Sequence, residues 1–195
     1  MDPVLSPELF PHIRVVMGMV IGLGMTRLLM TVAGMIQHPK RANLSSIHLL
    51  WMGSMLVELV LFWWWEFSLF QLAHWTFGIT LFLILYAVTL FLLAALLAPD
   101  NIDEYESYED FFLQRRHWFF GIFAVTFLFD AIDTLIKGNQ YWERYGIDYA
   151  IQIPFGLILC AVAIRWADRR VQIGAVLVHF AYQIFWISQY FDTLG

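Results

Sequence analysis

The chain has 195 residues, of which 61% are hydrophobic and only 14% charged, with a formal net charge of -5. Soluble domains carry about a quarter charged residues, so this composition excludes an ordinary soluble domain. The acidic balance, with no run of Lys and Arg, excludes a nucleic-acid partner. One cysteine, Cys160, excludes an internal disulfide framework and any CxxC motif.

The N-terminal stretch "MDPVLSPELFPHIRVV" lacks a basic region followed by a small-residue cleavage site. The first apolar segment is therefore expected to be retained as a spanning helix. It covers about 14–36 and reads "VVMGMVIGLGMTRLL", with Gly18 and Gly22 forming a face that permits close helix contact within the subunit or between subunits. Five further segments reach the roughly 20 residues that cross a hydrocarbon core, at about 48–66, 77–98, 117–137, 147–166 and 172–191. No polar block is long enough to fold alone. The expectation is one all-α polytopic membrane domain over residues 1–195, with the lipid bilayer as its surroundings and a homo-oligomer or larger membrane complex as its assembly.

The second segment ends in "LFWWWEFSLF". Successive helical residues lie about 100° apart, so three adjacent tryptophans sweep too wide an arc to line one pocket. Trp63, Trp64, Trp65 and Trp75 are read as an aromatic belt at the outer interface, with an aromatic ligand site as the alternative. Glu66 is placed where the belt meets water.

Between the third and fourth segments lies "PDNIDEYESYEDFFLQRRHWFF". Apolar side chains recur there at three- and four-residue steps, which predicts a short amphipathic helix over about 101–114 at the inner interface. Its carboxylates face water or a basic partner, and Tyr105, Glu106, Glu109 and Phe112 are the docking candidates.

Orientation follows the distribution of Lys and Arg in the connections. One face holds Lys40, Arg41, Arg115, Arg116, Arg165, Arg169 and Arg170, and the other Arg14, Lys137 and Arg144. Both termini are then outside, and a bacterial cytoplasmic membrane is the expected location.

Ionisable residues within the spans are functional candidates because lipid makes them costly. They are Arg27, Glu58, Asp130, Asp133 and the one histidine well inside a span, His179. By helical rise, Arg27 and Glu58 lie about 15 Å from the inner end and Asp130 about 20 Å. The expectation is an Arg27–Glu58 pair approached by Asp130, serving as a brace for the fold or as a proton or cation site. One arginine faces several carboxylates, so at least one acid is left without a cationic partner, which favours its neutral form. His179 is either a core histidine or a proton relay.

No His-box, metal-spaced cluster or nucleophile elbow occurs, so an integral-membrane enzyme ranks third among the readings, and no metal or cofactor is expected. Two function classes stand in front: a small six-helix channel or proton/cation-coupled transporter, and a non-catalytic membrane subunit that binds other proteins.

Overall fold

In lipid, a backbone satisfies its N–H and C=O groups within helices or closed barrels, and these apolar runs form helices. The structure, a computed structural model, describes residues 10–38, 43–72 and 74–191. Helix α1 spans Phe10–Gln37, α2 Ser46–Trp65, α3 Phe77–Leu96, α4 Tyr108–Lys137, α5 Asn139–Arg165 and α6 Arg169–Trp186. All six are long and apolar enough to cross a membrane, and no strand occurs among the described residues. The chain is an all-helical integral membrane protein.

Local chemistry sets the helix ends. Ser45, Thr76, Ser107 and Asp168 each accept a backbone N–H from the first turn of α2, α3, α4 and α6. Helix α2 tightens into a 3-10 turn over Glu66–Gln71. Only Gly138 separates α4 from α5, and its φ of 113° is open to glycine but not to most side chains.

Contacts run round the bundle in the order α1, α3, α4, α5, α6, α2 and back to α1, and α2 also reaches α4. Large apolar side chains such as Met19, Met30, Leu85, Ile147, Ile158 and Ile184 are exposed on the outside, where lipid would meet them. Inside, Trp51 is fully buried, with the rings of Phe112, Phe119, Phe120 and Phe123 centred 5.1–6.4 Å from it. Each such ring pair adds about 0.5–1.5 kcal/mol beyond burial of area.

Two expectations change here. The separate amphipathic helix over about 101–114 is not formed: 101–107 is a series of turns, and α4 runs unbroken from Tyr108 to Lys137. Ser107 is extended and caps Asp110, so the periodicity from residue 108 onward belongs to the first turns of the spanning helix. Its apolar positions face the bundle, and Phe111 and Phe112 are buried there. Gly18 and Gly22 meet open space, whereas Gly24 brings α1 close to α3, where a Cβ added to it would lie 3.5 Å from that of Ala94.

Candidate functional site

Five helices line a cavity of about 90 Å³. Three of them contribute residues at i, i+3, i+4 and i+7, the spacing that keeps side chains on one face. These are Glu58, Leu61, Phe62 and Trp65 on α2; Phe123, Thr126, Phe127 and Asp130 on α4; and His179, Tyr182, Gln183 and Trp186 on α6. Tyr149 and Gln152 complete the wall from α5, and Tyr86 reaches it from α3.

The polar contacts form two groups around this space. In the first, Gln183 Nε2 donates to Glu58 Oε2 at 2.8 Å and to the Ser54 carbonyl at 3.1 Å. Ser54 Oγ donates to Gln183 Oε1 at 3.2 Å and lies 2.7 Å from His179 Nδ1. His179 Nε2, the other ring nitrogen, lies 4.0 Å from Glu58 Oε2. In the second group, Gln152 Nε2 donates to Asp130 Oδ2 at 3.2 Å. The Gln152 amide oxygen, buried in the same wall, accepts no hydrogen bond among the described residues. Among those residues, neither Glu58 nor Asp130 has a Lys or Arg partner.

Aromatic layers lie on both sides. Towards the Ser45 end of α2, the ring of His179 stacks on Trp51 and meets Phe123 edge-on, continuing into the Trp51 cluster. Towards the other end, Trp65, Tyr145 and Trp186 are in mutual ring contact, and Trp186 Nε1 donates to Tyr182 Oη.

Beyond that second layer sits a buried ionic cluster. Lys137 Nζ donates to Asp133 Oδ2, one turn back on α4, and to Glu66 Oε1 at 3.1 Å, and it lies 4.9 Å from the Trp65 ring centre. All three charged side chains are at most 3% exposed. Asp130 precedes Lys137 by seven residues, so the cavity lies roughly 10 Å deeper along α4. The sequence placed Lys137 in a connection and Glu66 at the water boundary; both are buried partners of one another.

Arg27 is not part of this site. Its Nη1 is 2.5 Å from Asp100 Oδ1 and its Nη2 donates to the Ala98 carbonyl at 3.2 Å. The hydrogen bond and charge of Arg27 hold the Asp100 carboxyl below its ordinary range. The depth estimate fails because α1 begins at Phe10, stacked on Trp75 beside the start of α3. Residue 27 is then level with the far end of α3, and the last ten residues of α1 run past it.

The remaining candidates separate as well. Trp63 and Trp64 are exposed and suit a lipid-facing belt; Trp65 turns inward and Trp75 is fully buried. Tyr105 accepts from Arg115 Nη2 at 2.8 Å, and Glu109 accepts from Ser45 at 3.2 Å and pairs with Arg169 at 3.6 Å. Glu106 is exposed, while Phe112 lies in the Trp51 core, so these four do not make one docking face. Among the described residues, no group of three His, Cys, Asp or Glu side chains is placed to hold a metal ion. Lys40 and Arg41, used in the charge count, lie outside the described residues.

Gln152 and Gln183 escape a search limited to ionisable residues. The signal for Gln183 is the i, i+3, i+4, i+7 row from His179 to Trp186, and for Gln152 the i, i+3 pair with Tyr149. No protein-family model, curated protein or solved structure matches the chain.

Proposed function

We propose that this protein is a small proton- or cation-coupled membrane transporter whose exchange site is the cavity between Glu58 and Asp130. One observation carries the reading: two carboxylates face the same intramembrane space, and neither has a Lys or Arg partner among the described residues. An ionised carboxylate in such surroundings is costly. Each acid therefore holds a proton or a cation, and exchanging one for the other is the elementary act of coupled transport.

The aromatic layers on both sides support a carrier over an open pore. Alternating access requires the Trp51 layer and the Trp65–Trp186 layer to open one at a time. His179, with Nε2 towards Glu58, is the relay through which a proton reaches that carboxylate. The Lys137–Glu66–Asp133 cluster holds α2 to α4 beyond one gate.

A bacterial cytoplasmic membrane with both termini outside is the location that accompanies this reading. Arg27 lies at the same end as Arg115 and Arg165, and Lys137 withdraws into the interior, which sharpens the bias that motivates this orientation. A second reading, a non-catalytic subunit of a larger complex or a homo-oligomer, is favoured by the face of α1 at Gly18 and Gly22, where a Cβ added to either would meet no described atom within 4 Å.

The test is proton flux into liposomes containing the purified chain, followed with an internal pH dye. Flux above that of protein-free liposomes, blocked by a hydrophobic carbodiimide that modifies membrane-embedded carboxyls, supports the transporter. Flux indistinguishable from protein-free liposomes under sodium, potassium and pH gradients supports the subunit reading instead.

A further inference from the structure

We propose that the pocket at the Arg27–Asp100 end of the bundle holds the headgroup of an aminophospholipid, its phosphate at Arg27 and Arg115 and its ammonium group at Asp100 and Glu104. This pocket shares no lining residue with the cavity between Glu58 and Asp130, so the assignment stands apart from the transport reading. It is open, has a volume of about 350 Å³, and is lined by all four of these charged side chains. Arg27 comes from α1, Arg115 from near the start of α4, and the two carboxylates from the segment that joins α3 to α4. Both guanidinium groups are positioned by contacts of their own. Arg27 donates to Asp100 and to the Ala98 carbonyl, and Arg115 donates through Nε and Nη2 to the Tyr105 hydroxyl. A guanidinium carries more N–H donors than these contacts use, and phosphate oxygens suit its fork geometry.

The surface leading to the pocket makes the ligand a lipid. Side chains three, four or seven residues apart share a helix face. By that spacing Arg27 continues the row of Val16 and Leu23 on α1, and Ala95 and Leu96 continue that of Leu85 and Leu92 on α3. Arg115 begins the row of Trp118 and Val125 on α4. All six of these apolar side chains are exposed, so three lipid-facing rows meet at the pocket. Asp100 and Glu104, just past the end of α3, are exposed too, which puts the change from apolar to ionised surface at the same level. Acyl chains along the rows and a polar head in the pocket match that order. The charges select the head. Phosphatidylglycerol brings a phosphate for the arginines but no positive group for Asp100 and Glu104, whereas phosphatidylethanolamine carries both signs.

The experiment mixes the purified, delipidated full chain in detergent with equal amounts of dioleoyl phosphatidylethanolamine and dioleoyl phosphatidylglycerol, and counts retained lipids by native mass spectrometry. The wild type should retain the ethanolamine lipid about fivefold over the glycerol lipid, the upper end of what an exposed ion pair supplies. Asp100→Asn combined with Glu104→Gln should remove the preference and leave the glycerol lipid bound. Arg27→Gln combined with Arg115→Gln should reduce retention of both lipids. Equal retention in the wild type, a preference that survives the acidic double variant, or retention unchanged in the arginine double variant overturns the assignment. Glycerophosphoethanolamine has the head without the chains. If it displaces the bound lipid as well as phosphatidylethanolamine does, the ligand is a soluble phosphodiester and the lipid assignment fails. Should a double variant not fold, as judged by its melt, the wild-type comparison and the displacement decide.

Discussion

Lys137 Nζ lies 3.1 Å from Glu66 Oε1, joining the end of α4 to the end of α2 in the buried interior. The cation that compensates acidic charge in this half of the bundle thus comes from α4, where Lys137 also bonds Asp133. Glu58 and Asp130, about two turns deeper, are left to other partners.

Lys137→Met should therefore strand two buried carboxylates. Breaking a buried pair by removing one partner costs about 3–5 kcal/mol. Thermal melts in detergent should show a large loss, mostly recovered in the triple variant Lys137→Met, Glu66→Gln, Asp133→Asn. A single variant as stable as wild type would show that the cluster does not hold α2 to α4.

Arg27 and Asp100 should behave differently, because their side chains are 39% and 82% exposed. Arg27 lowers the Asp100 carboxyl, so whatever the contact contributes is present above the ordinary carboxylate range. It is lost as pH falls through the lowered value. NMR titration of Asp100 should show its midpoint rising in Arg27→Gln; an unmoved midpoint would exclude the contact in solution.

Helix α5 approaches α4 closely at Gly156, where an added Cβ would sit 2.5 Å from the ring of Phe127. That ring lines the cavity, so Gly156→Ala should push it into that space. Overpacking of this kind costs about 1–3 kcal/mol. Melts should show a loss of that order, relieved by adding Phe127→Leu, and flux should fall with the single variant. Unchanged stability and flux would contradict the close approach.

Orientation can be read by labelling intact cells with an impermeant maleimide, since Cys160 is buried. Gln140 and Glu104 are exposed at opposite ends of α4. Gln140→Cys should react from outside and Glu104→Cys should not; the reverse pattern would invert the topology.

The six helices were legible because apolar runs of spanning length have no other structure available in lipid. Their ends were not. The stretch from Tyr105 to Phe112 has the periodicity of an interfacial helix, but from Tyr108 its apolar side belongs to the bundle. Arg27 was placed too deep because the apolar run of α1 does not reveal how far that helix extends beyond its neighbours. Glu58, Asp130 and His179 were found by the cost of polar groups in lipid, and they do face one cavity. Lys137 and Glu66 were missed as interior groups because they close apolar runs, where a charged residue reads as meeting water.

The proposed transport function depends most on Glu58 and Asp130 acting as exchangeable sites. The direct measurement is proton flux in liposomes for wild type, Glu58→Gln, Asp130→Asn and the double variant, each first shown by its melt to be folded. Exchange at these two carboxylates predicts flux in the wild type, a sharp fall in each single variant and none above protein-free liposomes in the folded double variant. A folded double variant that carries protons at the wild-type rate would contradict it.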